Sequence, residues 1–129
     1  MSDKFIVEII CPDQPVLKID TSEVTIPAFE GQMGILKDHI PLITFLRPGL
    51  ITIKAQEEKK YYVEEGTVEF SNNNLLILTS TAKNLDNLDK RFVGDLLKET
   101  EKKLQNNSLT DKEKYILSYK MSSLKEINQ

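Results

Sequence analysis

Asp38 and His39 are the one place where an acid/base reaction could begin, because His39 is the sole histidine of the chain and an imidazole titrates near neutrality. Such chemistry needs company. A hydrolase requires a Ser or Cys nucleophile placed by the fold beside the base, and a metal centre requires several His, Cys or carboxylate ligands. One histidine and one cysteine, Cys11, set in different apolar stretches, do not supply either. His39 reads more simply as a residue that packs or hydrogen-bonds in a loop or at an interface. Cys11 alternates with Phe5, Val7 and Ile9, the pattern of a small half-buried hydrophobe on a strand. A lone cysteine forms no internal disulfide, which suits a reducing compartment. Gly31-Gln32-Met33-Gly34 could suggest a phosphate cradle, but it lacks the Lys-Ser/Thr ending of a P-loop and the third glycine of a dinucleotide fingerprint. A tight hairpin with Met33 exposed at its tip is expected there. No catalytic residue, cofactor site or metal site is expected.

The elements that would position these residues change character near Asn84. Before it the apolar period is two, in short runs separated by Pro, Gly, Asn and Asp. Strands are predicted over Lys4 to Cys11, Val16 to Ile19, Glu23 to Phe29, Leu50 to Ala55, Lys60 to Val63, Thr67 to Ser71 and Leu75 to Ser80. Seven or more short strands imply a sandwich or barrel. Glu57-Glu58 and Asn72-Asn73-Asn74 are turns between antiparallel neighbours, and Gly66 marks a bulge or reversal. After Asn84 the period becomes 3.6. Leu88, Phe92, Val93, Leu96, Leu97 and Leu104 predict an amphipathic helix of about five turns, with Asp86 as N-cap and Asp89 in its first turn. Asn106-Asn107-Ser108 ends it, and Thr110-Asp111-Lys112-Glu113 is a capping box that opens a second helix. Ile116, Leu117, Tyr119, Met121, Leu124 and Ile127 face one way on that helix, so the pair reads as an antiparallel αα-hairpin.

Composition narrows the function classes. The 129 residues fit one domain, or one domain with a small appendage, with a division into 1–84 and 85–129. A net charge of -3 argues against a dedicated nucleic-acid binder. Lys plus Arg number 8 against 12 Asp plus Glu before Leu85, net -4, and 9 against 8 from there on, net +1. The apolar runs Ile40 to Leu46 and Leu75 to Leu78 fall short of the ~20 residues of a transmembrane helix, so membrane association is expected only through a partner. The N-terminal MSDKFIVEII has neither the order of a signal peptide nor the Arg- and Ser-rich character of a transit peptide.

Four motifs in sequence order, Gly31-x-x-Gly34, His39-x-Pro41, Leu46-Arg47-Pro48-Gly49 and Gly66-x-Val68-Glu69-Phe70, resemble the epsilon subunit of bacterial F-type ATP synthases, and the likeness covers nearly the whole chain. The resemblance implies an antiparallel β-sandwich of about ten strands followed by the helical hairpin. It implies a non-catalytic rotor subunit that couples the c-subunit ring to the gamma shaft, peripheral to the cytoplasmic face of the bacterial inner membrane. Glu30, Gly31, Gln32 and Met33 match the family loop that meets the c ring, and Cys11, His39 and Thr44 match the face that packs on gamma. The hairpin of this family lies folded or extends toward the beta subunits to inhibit ATP hydrolysis, which makes Lys120 and Lys125 its candidate basic contacts. The ATP motif that some members carry on the first helix is out of register here: Asp89 stands at the Arg position in one alignment, and Arg91 falls one residue early in the other. One residue rotates a side chain by ~100° on a helix, so weak or absent ATP binding is expected. The family's Pro-Gly before the histidine is replaced by Lys37-Asp38. Two readings of other classes are a free-standing adaptor with an interaction hairpin and a small hydrolase built on Asp38 and His39.

Overall fold

Alternating β-branched and aromatic residues lay down strands as far as Asn84, and helical spacing takes over beyond it. The computed structural model describes residues 3–128; Met1, Ser2 and Gln129, at the outer ends of the two expected segments, lie outside the described residues. The first half holds β1 (Phe5–Cys11), β2 (Gln14–Thr21), β3 (Glu23–Ala28), β4 (Gly31–Leu36) and β5 (Leu42–Leu46). Then come β6 (Gly49–Lys54), β7 (Glu58–Val63), β8 (Gly66–Ser71), β9 (Asn74–Leu78) and β10 (Ala82–Asn84). A 3-10 turn over Leu85–Asn87 leads to α1 (Lys90–Leu104) and α2 (Asp111–Ile127).

The strands form one ten-stranded sheet in the order β10-β7-β6-β3-β5-β8-β9-β1-β2, with β4 paired to β3. All pairings are antiparallel except β1 with β9, which is parallel; no hairpin joins those two strands to set their relative direction. β3 meets β5 through the single register pair Ala28↔Leu46. The sheet folds over at this corner, so its two halves face each other across one core. Val24, Ile26, Ile35, Ile51 and Ile53 come from one half and Val7, Ile9, Val68, Phe70 and Ile77 from the other, all buried. Burying each such side chain is favourable by about 1.5–3 kcal/mol.

Local chemistry fixes the registers. Asn72 and Asn73 both take positive φ, 51° and 58°, as a two-residue hairpin turn between the paired Ser71 and Asn74 demands. Gly66 sits at φ 155°, and a Cβ there would lie 2.5 Å from the Leu78 carbonyl oxygen, so both backbone and space call for glycine.

Three expectations are corrected. The Gly31–Gly34 segment is not a hairpin tip: the turn is Phe29–Glu30, Ala28 pairs with Gly31, and Met33 pairs with Ile26 and packs half-buried against the core. The strand period puts Met33 and Ile35 on the inner face and Gln32 outside. Asp86 does not cap α1. Its N–H is bonded to Asn84 Oδ1 in the 3-10 turn, Leu88 is extended, and Asp89 is the N-cap, accepting from the Arg91 N–H. The helix is accordingly 15 residues long, about four turns rather than five. The capping box of α2 is present, with Thr110 and Glu113 each bonded to the other's backbone N–H.

Candidate functional site

β5 is apolar on both of its faces, and this creates the most exposed hydrophobic surface of the sandwich. Leu42, Thr44 and Leu46 face inward opposite Phe70, Val68 and Gly66, while Ile43 and Phe45 face outward, 76% and 60% exposed. Register places Phe45 beside Thr67, Leu78 and Ile10 across four neighbouring strands. Leu78 is 44% exposed. A largely apolar cavity of about 890 Å³ opens at the end of this row, walled by Cys11, Phe29, Phe45, Leu46 and Leu78, with Glu65 and Lys112 among its polar residues. The Thr79 hydroxyl donates to the Glu65 carbonyl at 2.5 Å, and the Ser80 N–H donates to the Glu65 carboxylate at 2.9 Å, so the polar part of the wall is internally bonded. Apolar surface of this kind on a folded chain is a contact waiting for a partner.

Cys11 and Thr44 meet at this surface only in part: Cys11 is half-buried and lines the cavity, whereas Thr44 points to the inner side of β5. His39 stands away from the cavity, in the loop between β4 and β5. Asp38 takes φ 64°, the left-handed conformation that favours glycine and that Asp tolerates. Asn73 secures that turn: Asp38 N–H donates to Asn73 Oδ1 at 2.7 Å and Asn73 Nδ2 donates to Asp38 Oδ1 at 3.0 Å. The His39 Nδ1 lies 2.7 Å from the Ile40 carbonyl, and its ring meets Phe70 edge-on with centroids 5.9 Å apart. The carboxylate is thus engaged by Asn73 and the imidazole by a backbone carbonyl; the two do not make an acid/base pair. Glu30 stands at the exposed β3–β4 turn, Gln32 is exposed on β4, and Gly31 opens that strand at φ 138°.

The second surface is the seat of the helices on the outer face of β6 and β7. Leu50 and Tyr62, paired across those strands, gather Leu85, Leu88, Val93, Leu96, Leu97, Leu124 and Ile127 above them. Around this small cluster lie polar and aromatic attachments. Lys120 Nζ is 2.7 Å from Glu64 Oε1, with side chains 15% and 32% exposed. Tyr62 also donates to Glu64, at 3.2 Å. Burial and then the neighbouring Glu64 charge push the Tyr62 hydroxyl far above its ordinary value, so it stays a donor at neutral pH. The Arg47 guanidinium lies 3.7 Å from the centroid of the Tyr119 ring. Tyr115 stacks on Phe29 with centroids 5.3 Å apart, and its hydroxyl donates to the Phe29 carbonyl. Lys125 is exposed, as is Arg91, and Asp89 is committed to its cap.

The sequence reading missed Ile43, Phe45 and Leu78 as a surface and Arg47, Glu64, Tyr115 and Tyr119 as an attachment. For the first a signal existed: the apolar character of Leu42 to Leu46, broken only by Thr44, leaves neither strand face polar and implies that both are covered by something. The second needs the angle between helix and sheet, which no spacing encodes. Among the described residues no helix is long and apolar enough to cross a membrane, and no group of three or more His, Cys, Asp or Glu is placed to hold a metal ion.

Comparison with known proteins agrees along the whole length. The family model for the ATP synthase, Delta/Epsilon chain, beta-sandwich domain matches residues 4–85. The ATP synthase epsilon chain of Pelagibacter ubique is 48% identical over 130 residues, covering 99% of this chain and 100% of that one. The mitochondrial ATP synthase subunit delta of Schizosaccharomyces pombe is 33% identical over 100 residues, 74% of this chain and 60% of that one. In the solved Euglena gracilis mitochondrial ATP synthase, in the OSCP/F1/c-ring structure, one chain superposes with a TM-score of 0.81 at 21% identity, covering 100% of this chain and 84% of that chain, which is a likeness of fold. With its ten-stranded sandwich, helical pair and full-length match, the chain belongs to the ATP synthase epsilon-chain family.

Proposed function

We propose that this chain is the coupling subunit of an F-type ATP synthase central stalk, joining the c-subunit ring to the gamma shaft so that the two turn together during proton-driven ATP synthesis. In this family the catalytic sites lie in other subunits, and the chain is part of a membrane-associated complex. The observation that carries the reading is the outward apolar row of Ile43, Phe45 and Leu78 beside the cavity at Cys11. That row is the gamma-facing surface, with His39 at its flank and Thr44 supporting β5 from within. The Phe29–Glu30 turn with Gly31, Gln32 and Met33 faces the ring, Glu30 and Gln32 offering the exposed polar groups. The site is the cytoplasmic face of the bacterial inner membrane.

The hairpin regulates. Seated as here, Lys120 is held by Glu64 and is withheld from any other acidic partner. Released, Lys120 and Lys125 are free to meet the beta subunits and slow ATP hydrolysis. With Asp89 used as a cap and Arg91 exposed, ATP binds weakly or not at all at the hairpin.

Replacing Phe45 with Glu puts a charge at the centre of the apolar row and is expected to weaken co-purification with the gamma subunit by more than ~10-fold, since central aromatic anchors dominate interfaces. Undiminished gamma binding by Phe45→Glu overturns the assignment of this face. Hydrolysis by the assembled complex, with the full chain and with a chain ending at Asn84, reads the regulatory half: faster turnover without the helices is expected, and equal rates remove the inhibitory role.

A further inference from the structure

We propose that Tyr115 is a positioning residue that staples the corner between the two halves of the sheet, so that seating of the hairpin sets how firmly the sandwich presents its gamma-facing cavity. The proposal rests on the stalk reading given above for the identity of the partner, but not for the coupling itself.

The corner is the thinnest joint of the sandwich. β3 and β5 share one register pair, Ala28↔Leu46, and two flanking backbone bonds of 2.9 Å, Phe29 N–H to the Phe45 carbonyl and Arg47 N–H to the Pro27 carbonyl. Each neighbouring strand pair is a ladder of several residues; β5 with β8, for instance, runs from Leu42↔Phe70 to Leu46↔Gly66. α2 spans this joint from outside. Its Tyr115 grips Phe29 twice, by ring stacking and by a hydroxyl bond to the carbonyl. Tyr115 meets Tyr119 edge-on at 4.8 Å, and Tyr119 carries the Arg47 guanidinium at 3.7 Å. The path from Phe29 through Tyr115, Tyr119 and Arg47 therefore returns, by the Arg47 N–H, to Pro27, two residues from where it began. This closed circuit joins the β3 side of the corner to the β5 side through one turn of helix.

Phe29 is also the residue at which the corner touches the cavity. Its side chain lines the same wall as Phe45 and Leu46, and Lys112, from the first turn of the same helix, lines it as well. Moving α2 away removes Lys112 from the wall and the stack from Phe29, and leaves the corner to its backbone bonds and the core packing of Ala28 and Leu46. A partner lodged in the cavity then meets a looser rim, and by linkage a partner that tightens the rim favours the seated hairpin.

The test uses the full chain with Tyr115→Phe, which keeps the ring and loses the hydroxyl, Tyr115→Ala, which loses both, and Leu124→Ala, which loosens the hairpin from its other attachment. Amide hydrogen exchange in the isolated chain is read at Phe29 and Arg47 and, as internal reference, at Val7 and Ile53. Tyr115→Ala is expected to speed exchange at Phe29 and Arg47 by about 10-fold, the sum of a lost stack and a lost hydroxyl bond, with Tyr115→Phe between it and the parent and the reference amides unmoved. Leu124→Ala is expected to reproduce the acceleration. Unchanged exchange at Phe29 and Arg47 in Tyr115→Ala overturns the coupling, as does acceleration spread equally over Val7 and Ile53. Binding of the recombinant gamma subunit is the second arm: Tyr115→Ala should weaken it several-fold, and unaltered affinity alongside a loosened corner overturns the positioning role. A parent chain that ignores gamma defeats the stalk reading, while the exchange data still decide whether the corner senses the helix.

Discussion

Tyr61 and Tyr62 are neighbours on β7 and belong to different structures: Tyr61 points into the sandwich core and Tyr62 lies under the helices. The two regions they serve are built on different principles. The sandwich core is a contiguous apolar interior drawn from strands all around the sheet, whereas the helices rest on one small apolar cluster and a ring of directed contacts at Glu64, Arg47 and Phe29. Non-directional burial gives an all-or-none body. A short set of directed contacts gives an element that can leave without unfolding what it leaves, as the low-stability parts of proteins that move in regulation do.

The comparison breaks most visibly at Phe70. This side chain is buried, edge-on to Phe5 at 5.6 Å and to His39 at 5.9 Å. Phe70→Ala is expected to cost about 3–5 kcal/mol in denaturant unfolding. It should lower protection in strands and helices together, because the helices have no seat once the sheet is lost. Leu124→Ala is the counterpart, with an expected loss of about 2–3 kcal/mol confined to the hairpin. Residue-resolved hydrogen exchange should show α1 and α2 opening while β1, β6 and β9 keep the parent's protection. Equal loss in those strands would mean that the two regions are one cooperative unit.

A smaller effect sharpens the nature of the attachment. Glu64→Gln keeps the shape of the side chain and its bond from Tyr62 but leaves the Lys120 ammonium without its counter-charge in a site where that side chain is only 15% exposed. Weakening of hairpin seating by about 1–2 kcal/mol is expected, read by the distance between one label on α2 and one on β6. Adding salt should change the parent only slightly, since the pair is partly shielded from solvent. A large salt response would mark Lys120 as a surface contact.

The same contrast explains what could be read before folding. Period two along Phe5 to Ile9 and Leu75 to Ile77, the Asn72-Asn73-Asn74 turn and the Thr110–Glu113 box are local, and each appears where its chemistry places it, except that Asn74 already belongs to β9. β4 was hidden because two glycines imitate a turn, although Met33 and Ile35 keep the strand alternation. The start of α1 is ambiguous in the sequence because Asp86 and Asp89 are both competent caps, and the extended backbone at Leu88 decides between them. Phe92 lies on the predicted stripe and is 41% exposed, whereas Thr100, off it, is buried with its hydroxyl bonded to the Leu96 carbonyl at 2.7 Å. The packing partner of a helix face is a long-range fact. Arg47 and Tyr119 are 72 positions apart, and the Pro48-Gly49 turn that brings the arginine to the helix carries no mark of the ring it will cover.

The finest separation of the two regions is by alkali, and it uses the adjacent tyrosines themselves. Both hydroxyls are raised above the ordinary 10.0, each chiefly by burial, Tyr61 further by Asp86 against an opposing bond from Asn84, and Tyr62 further by Glu64. Below pH 10 the released and the folded forms both hold these protons, so stability does not depend on them. Above it the exposed form ionises first, and the structure that buries the phenol loses stability as pH rises, by at most ~1.4 kcal/mol per group per pH unit. For Tyr62 the exposed form is reached by lifting the hairpin, and for Tyr61, whose ring is in the sandwich core and whose hydroxyl meets Asn84 and Asp86, by parting β10 and the 3-10 turn from β7. Tyr62→Phe should therefore flatten the alkaline slope of hairpin release while leaving that of strand opening, and Tyr61→Phe should do the reverse. Hydrogen exchange and label distances followed from about pH 9 to 11 measure both slopes. If either substitution flattens the two slopes together, the tyrosines report one opening, and the hairpin does not release on its own.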